Sequence, residues 1–248
     1  EFTAYYQRRG TYGANYGGMV VGARSGPLGH ASSGGNDCDA TTYYARFRND
    51  GKWDIEKELK HPGSTYWSGS GLNAQDPLWG GAKLPQGRWI GMKYIVYDLD
   101  SSRSRVRMEL YIDSVTGGDA TKGDHWMRVG AVVDSGQWAS GDVLGCNYPA
   151  ATVISPGHGT FLWRTDGDTA LYRMVSIREI DPTVDLVASA ARPPIHAAHA
   201  EWWVVRQGRK LSVRRGGSEI SAERLRWTGP DGRNLAVPPE VGLAIVGL

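Results

Sequence analysis

The sequence predicts an all-β protein, an antiparallel β-sandwich, from three observations. Apolar and polar residues alternate with a period of two, most clearly from Val106 to Asp113, and such a strand has one face in the core and the other in water. Asp50-Gly51 separates two such segments, and Asp-Gly in this setting is a strong hairpin signal. Residues 2–180 contain no amphipathic helical pattern, and the chain holds 34 Gly, 10 Trp and 12 Tyr against 3 Phe, which is typical of turn-rich β folds.

Alternation and turn residues place seven strands in this region. They are predicted at residues 43–48, 53–61, 89–99, 106–113, 126–133, 160–164 and 171–180. In the last strand, strict alternation predicts that Arg173, Val175 and Ile177 share one face, opposite Tyr172 and Met174.

The composition changes after Asp181-Pro182, which divides the chain into three parts. Residues 1–181 are predicted to form the main β domain, 182–200 an Ala- and Pro-rich linker, and 201–248 a small β appendage of unknown role. The appendage carries a basic cluster, which is either a solvated hairpin rim or a contact for an anionic polymer. The cluster consists of Arg206, Arg209, Lys210, Arg214 and Arg215.

Charge and cysteine usage restrict the class of protein. A formal net charge of +2 is too small for a phosphate-tracking surface, so no nucleic acid partner is expected. No apolar stretch is long enough to span a membrane. Cys38 and Cys146 have a spacing that matches no metal or redox motif, which favours a disulfide in an exported protein over two free thiols in a cytosolic one. We therefore expect a secreted, extracellular protein.

Three segments carry a resemblance to known proteins. Gly87-Arg88-Trp89-Ile90-Gly91-Met92-Lys93-Tyr94-Ile95-Val96-Tyr97, Val106-Arg107-Met108-Glu109-Leu110-Tyr111-Ile112-Asp113 and Tyr172-Arg173-Met174-Val175-Ser176-Ile177-Arg178-Glu179-Ile180 resemble the paired strands of concanavalin A-like jelly rolls. The chain is similar to a group of secreted bacterial and archaeal proteins of this fold and, more distantly, to jelly-roll polysaccharide lyases that act on glucuronate-containing chains. The resemblance covers about residues 2–181. It implies a jelly-roll β-sandwich with the polymer along the concave face of the larger sheet.

The first candidate for chemistry is the acidic strand that follows the Asp-Gly turn. On a strand, Asp54, Glu56 and Glu58 point to one face, with neighbours roughly 6.6–7 Å apart. Glycoside hydrolysis uses two such carboxylates, and the segment is similar to the alternating acidic strand of jelly-roll β-glucanases. The alternative is the ordinary polar outer face of a hairpin strand, with Ile55 and Leu59 facing the core.

The second candidate is a basic, hydroxyl-bearing set suited to β-elimination of a uronate polymer. Arg46 could hold the substrate carboxylate in a bidentate pair, and Tyr44 and Arg48, on the same predicted face, could bind substrate. The groups available to move protons are Lys57, His61, Lys93, Tyr97 and His158. His30, in another Gly-rich loop, is a further substrate-binding candidate. For each of these residues the alternative is a surface cation or a hydrogen-bonded loop histidine.

Aromatic loop residues and metal ligands complete the set. Trp67 and Trp79 lie in Gly- and Ser-rich surroundings and either stack on sugar rings or close the ends of the sandwich. Asp166 and Asp168 are weak candidates for a structural Ca²⁺, and no other cofactor is expected. The leading hypothesis is a polysaccharide lyase acting on an acidic, uronate-containing polymer. The alternatives are a non-catalytic lectin-like module and a retaining glycoside hydrolase.

Overall fold

The computed structural model describes the chain in several stretches. They are residues 1–11, 15–26, 37–60, 64–65, 77–114, 126–138, 145–149, 151–155, 157, 160–165, 168–182, 202–207, 210–215, 218–220 and 244–246. Within these stretches the chain forms two antiparallel β-sheets and no α-helix, which confirms the predicted all-β sandwich.

Fourteen strands are found in the described stretches. They are β1 (Phe2–Thr11), β2 (Gly18–Ala23), β3 (Thr42–Arg48), β4 (Trp53–Glu58), β5 (Ser64–Thr65), β6 (Trp89–Asp98), β7 (Val106–Asp113), β8 (Met127–Asp134), β9 (Phe161–Thr165), β10 (Asp168–Ile177), β11 (Trp202–Gln207), β12 (Lys210–Arg215), β13 (Ser218–Ile220) and β14 (Ala244–Val246). The eight-stranded sheet has the order β13-β12-β11-β10-β1-β6-β7-β8, and the six-stranded sheet has the order β14-β9-β2-β3-β4-β5.

The core lies between the inner faces of the two sheets. In the eight-stranded sheet Phe2 is paired with Tyr94, which is paired with Leu110, and all three are fully buried. The six-stranded sheet contributes fully buried side chains that include Ala45 and Phe47. Aromatic contacts join the sheets, since the Phe2 ring stacks on Phe161 with centroids 6.2 Å apart. Burying this apolar layer supplies the main driving force for folding.

The predicted Asp50-Gly51 hairpin connects β3 and β4 as expected. Gly51 has a φ of +85°, and a Cβ there would collide with the Ala82 carbonyl oxygen, so glycine is required on two grounds. Asp50 accepts hydrogen bonds from the Arg48 guanidinium and from the Lys52 backbone N–H. Strand β4 ends at Glu58, before the predicted end at residue 61.

Strand β10 departs from the strict alternation predicted for it. The register against β1 shifts between Thr3 and Tyr5, opposite Met174, which has a φ of +53°. This β-bulge reverses the inward and outward positions beyond it. Ile177 therefore packs on the same core as Tyr172, and the prediction that they lie on opposite faces is wrong.

The strands after residue 201 add to both sheets. Val205 of β11 is paired with Leu171 of β10, so β11, β12 and β13 extend the edge of the eight-stranded sheet. β14 is paired with β9 at the edge of the six-stranded sheet. The division into a main domain, a linker and an appendage stays a prediction, as does the jelly-roll topology.

The disulfide between Cys38 and Cys146 is confirmed, with the two Cα atoms 5.6 Å apart. The Tyr148 hydroxyl donates a hydrogen bond to the Cys38 carbonyl beside it. This cross-link joins the 3₁₀ turn Asp37–Asp39, which precedes β3, to the segment that precedes β9.

Candidate functional site

The sandwich separates the predicted site residues into three environments. Tyr44, Arg46, Arg48, Asp54, Glu56 and Glu58 lie on the outer face of the six-stranded sheet, which we call the arginine face. Lys57 lies between the sheets. Lys93 and Tyr97 lie on the outer face of the eight-stranded sheet, which we call the lysine face. Among the described residues, those predicted to act together in β-elimination therefore do not meet in one site.

The arginine face is an ordered network of ion pairs. Arg46 forms a bidentate pair with the opposite residue Asp54, with Nε–Oδ1 and Nη2–Oδ2 distances of 2.8 and 2.9 Å. The same guanidinium reaches Glu56 at 2.6 Å. Arg48 adds contacts to Asp54 at 3.2 Å and to Asp50 at 2.8 Å.

The ion pairs of the arginine face already use the charged groups that would have to bind or cleave a substrate. The Arg46 guanidinium already binds two carboxylates, so it does not present a free fork to a uronate. Asp54 and Glu56 are in turn held by arginine, so neither carboxylate is free to serve as the acid or the nucleophile of glycoside hydrolysis. Glu58 accepts a long hydrogen bond of 3.4 Å from the Tyr44 hydroxyl, and the pKa of Tyr44 is raised by burial and by this carboxylate. The arrangement fits an internally compensated polar layer better than a binding site.

Lys57 is placed in the sandwich interior, which corrects its predicted role. It is paired with Tyr43 and stands between the inward positions of Ile55 and Leu59. Its side chain is completely buried and its ammonium contacts Asp134 at 2.8 Å. It lies on the other side of the sheet from Arg46 and does not share a substrate-facing surface with it.

The lysine face is organised around a glycine. A Cβ on Gly91 would lie 2.8 Å from the Trp126 ring, 2.9 Å from Asp113 and 2.9 Å from the Tyr5 ring. The absence of a side chain at this position lets the Trp126 indole lie down on the sheet, tilted against Tyr5 with ring centroids 5.8 Å apart.

Lys93 lies beside this indole. Its ammonium is 4.6 Å from the centroid of the Trp126 ring and 5.7 Å from that of Tyr111. Both are cation–π contacts. Burial lowers the pKa of the Lys93 ammonium below that of a free lysine, and the Glu1 carboxylate partly opposes this effect. Within the described stretches the ammonium contacts these aromatic faces and has no hydrogen-bond acceptor.

Two tyrosine–carboxylate pairs flank Lys93. On one side the Tyr5 hydroxyl donates to Asp113 Oδ2 at 2.8 Å, and on the other the Tyr111 hydroxyl donates to Glu109 Oε2 at 2.5 Å. Although burial opposes the change, hydrogen bonds from Tyr111 and Arg107 lower the pKa of Glu109. Lys93 is thus bordered by two tyrosine hydroxyls that each donate a hydrogen bond to a carboxylate.

Two buried polar atoms on this face are unsatisfied hydrogen-bonding groups. Among the described residues, Asp113 Oδ1 and Trp126 Nε1 are buried without a hydrogen-bond partner. Such atoms are uncommon in folded proteins and are usually satisfied by ordered water or a ligand. At the margin of the face, the Arg173 guanidinium stacks on Trp89 at 4.1 Å, and Arg128 is half exposed.

The remaining predicted residues take other positions. Tyr97 lies on the lysine face with its hydroxyl 3.4 Å from Glu109, and burial and this carboxylate raise its pKa. Trp79 packs against the core edge-on to Phe47, with centroids 6.3 Å apart, which corresponds to closure of the sandwich end. His30, His61, Trp67, His158 and Asp166 lie outside the described residues.

The calcium prediction is not supported by a ligand cluster in the part of the chain that is described. There, no group of three or more His, Cys, Asp or Glu side chains is placed to hold a metal ion. Asp168 begins β10.

The sequence prediction missed five residues of the lysine face, namely Tyr5, Glu109, Tyr111, Asp113 and Trp126. A partial signal was present, because Glu109, Tyr111 and Asp113 alternate with the apolar residues of β7 and share an outward face. The position of Tyr5 and Trp126 beside them depends on pairing between distant strands.

Comparison with known proteins gives no match: no protein-family model fits the chain, and no curated protein or solved structure is significantly similar to it. Among the described residues, no helix has the length and apolar character needed to cross a membrane.

Proposed function

We propose that the protein is a secreted carbohydrate-active protein that binds an acidic polysaccharide on the lysine face and cleaves it by β-elimination. The observation that carries the proposal is the buried Lys93 ammonium, which contacts two aromatic rings and has no carboxylate hydrogen-bonded to it among the described residues. A buried cation that lies beside aromatic rings and has no carboxylate hydrogen-bonded to it suits a sugar that bears a carboxylate, since the rings stack on the sugar and the cation binds the acid.

The neighbouring groups support the chemistry of elimination. The reaction requires neutralisation of the uronate carboxylate, removal of the C5 proton and protonation of the leaving oxygen. Lys93 would take the first role in place of Arg46, whose guanidinium is already bound by Asp54 and Glu56. The Tyr5–Asp113 and Tyr111–Glu109 pairs would move the two protons, one on each side of the lysine.

The margin of the lysine face suits a polymer rather than a single sugar. Trp89 of β6 and the Arg173 stacked on it lie on the same outer face, where Arg173 is paired with Tyr5, and Arg128 lies on the opposite side, in β8. The cation–π pair at one end of the central cluster and the Arg128 cation at the other would contact successive acidic residues of a chain.

The test is incubation of the protein with uronate polymers and, in parallel, with neutral β-glucans. Absorbance from the unsaturated uronate product supports elimination, while new reducing ends without that absorbance would indicate hydrolysis and refute the lyase mechanism. Binding of acidic polymers without any product would leave a lectin-like module and refute cleavage. Absence of binding to every acidic polymer would refute the proposal as a whole.

A pair of lysine variants locates the activity. Lys93→Met removes the cation and is expected to abolish turnover and weaken polymer binding at least tenfold, because a charge-assisted contact is worth about 1.5–3 kcal/mol. Lys83→Met is the matched control, since Lys83 is an exposed lysine on a loop. Equal loss in both variants would indicate nonspecific charge attraction and would contradict the location on the lysine face.

A further inference from the structure

The sandwich interior contains a lysine and an aspartate in direct contact. Lys57 Nζ is 2.8 Å from Asp134 Oδ2, and both side chains are completely buried. Lys57 lies in β4 of the six-stranded sheet and Asp134 ends β8 of the eight-stranded sheet, so the contact bridges the two layers. Charged residues in such a position are unusual, because their desolvation costs several kcal/mol per ion.

The surroundings of the pair are those of a reaction centre. The Tyr43 hydroxyl donates to Asp134 Oδ2 at 2.6 Å, and the Gly136 backbone N–H donates to Asp134 Oδ1 at 2.9 Å. Lys57 Nζ also donates to the Thr152 carbonyl, and the Trp138 ring contacts Tyr43 edge-on at 6.1 Å. Both carboxylate oxygens therefore have a donor, and the pair is closed off from solvent by burial.

We propose that Lys57 and Asp134 condense to form an intramolecular isopeptide bond. Proton transfer from Nζ to Oδ2 within the pair gives an amine and a carboxylic acid. The nitrogen lone pair then attacks Cγ and forms the Nζ–Cγ bond. The Cγ–Oδ2 bond breaks, Oδ2 leaves as water with the second proton lost from nitrogen, and an amide remains. No oxidant or other reactant is consumed.

Each neighbouring group has a role in this step. Burial lowers the pKa of the Lys57 ammonium, which favours the neutral nucleophile, although Asp134 opposes the shift. The Gly136 N–H is placed to stabilise negative charge on Oδ1 in the tetrahedral intermediate, as in an oxyanion hole. The Tyr43 hydroxyl polarises the acid and relays the proton to Oδ2 as it leaves. The Thr152 carbonyl holds one N–H and orients the lone pair.

The bond would join residues 77 positions apart and connect the two sheets covalently. β8 is an edge strand of the eight-stranded sheet, and an edge strand is the part of a sheet that separates most easily. The isopeptide bond would hold that edge to β4 independently of the Cys38–Cys146 disulfide.

Mass spectrometry of the reduced wild-type protein tests the proposal directly. The intact mass is expected to be lower than the sequence mass by one water molecule. Trypsin should fail to cleave after Lys57, and the digest should contain residues 53–60 joined to residues 129–164. Recovery of the full sequence mass, with Lys57 and Asp134 in separate peptides after prolonged incubation, would show a plain ion pair and overturn the proposal.

Two variants separate the chemistry from the packing. Tyr43→Phe keeps the ring but removes the hydroxyl, and the linked fraction is expected to fall several-fold within a fixed time. Asp134→Asn should lose ammonia instead of water if it condenses, which identifies the leaving group. If either variant does not fold, the wild-type mass still decides the outcome. An unchanged linked fraction in Tyr43→Phe would remove the tyrosine from the mechanism.

Discussion

Gly91→Ala is the most direct perturbation of the lysine face. The added methyl group would lie 2.8 Å from the Trp126 ring, with Asp113 and Tyr5 at 2.9 Å on either side. These distances are below van der Waals contact; two of the three neighbours are rigid rings and the third is a buried acid. The Trp126 indole therefore has to move off the sheet, because it is the neighbour at the surface.

The magnitude follows from two opposing terms. Adding a methyl group to a packed site costs about 1–3 kcal/mol, while replacing glycine within a strand returns roughly 0.5–1 kcal/mol of backbone entropy. The net destabilisation is about 0–2.5 kcal/mol. For a chain of this size each kcal/mol lowers the Tm by about 2–4 °C. The displaced indole should also separate from Lys93 and reduce saccharide binding.

The assay is urea denaturation of the variant together with Gly10→Ala. Gly10 is in β1 of the same sheet, and a Cβ there meets nothing within 4 Å. Gly10→Ala should be neutral or slightly stabilising and should bind polymer as the wild type does. If Gly91→Ala is as stable as Gly10→Ala and binds equally well, Trp126 does not rest on Gly91 and the site as described is wrong.

Three further predictions concern other parts of the molecule. Replacing Cys38 and Cys146 by serine should lower the free energy of unfolding by up to about 4–5 kcal/mol in the chain-entropy model. Denaturation with and without reductant measures this change. An unchanged denaturation midpoint would contradict a native cross-link. Because the pKa of Glu109 is lowered from 4.5 in the folded state, its contribution to stability is complete above pH 4.5 and is lost as the pH falls through the folded-state pKa. Glu109→Gln should therefore flatten the acid limb of the stability–pH curve, and an unaltered limb would refute this assignment. Arg46→Met removes the guanidinium that pairs with both Asp54 and Glu56, although Arg48 still contacts Asp54. It should cost about 1.5–3 kcal/mol of stability, the range for a hydrogen bond to a charged group, while polymer binding by the folded fraction stays unchanged. Lost binding in the folded fraction would place the site on the arginine face instead.

Local alternation was sufficient to predict the sandwich and much of one face. Arg46 and Arg48 share a side of β3 because the side-chain period of a strand is two, and Asp54 and Glu56 share a side of β4 for the same reason. Placing these two strands next to each other required only the Asp-Gly hairpin. The arginine face was therefore predictable from a short stretch of sequence.

The side-chain period of two also predicts that Lys57 lies on the core side of β4. Ile55 and Leu59 were expected to face the core, and Lys57 lies between them at the same parity. The two roles predicted for Lys57, a proton-transfer group and a surface cation, both require an accessible side chain. The side chain is buried instead because Asp134, from a distant part of the chain, hydrogen bonds with Lys57 and Tyr43 in the interior. The bulge at Met174 could not be predicted from the sequence either, since it appears only in the pairing of β10 with β1.

The lysine face could not be predicted from local sequence, because its residues come from strands that are distant in the chain. Tyr5 and Asp113 are 108 residues apart and meet because β1 and β7 both pair with β6. Trp126 reaches them only through the gap that Gly91 leaves in the layer of side chains. The motif that contains Lys93 was visible in the sequence, whereas the residues that give this lysine its environment come from three other segments.

The contrast between the two outer faces is a difference in charge compensation rather than in composition. Both carry arginine or lysine, acids and tyrosine, yet Arg46 has two carboxylates bound to it while Lys93 has aromatic rings. A ligand on the arginine face would have to break existing ion pairs. The contacts it formed with the arginines would largely offset the energy of the broken pairs, so little net binding energy would be gained. On the lysine face an anionic ligand gains a cation already desolvated by Trp126 and Tyr111, and no ion pair at that cation is broken. The lysine face is therefore the one expected to bind an anionic ligand.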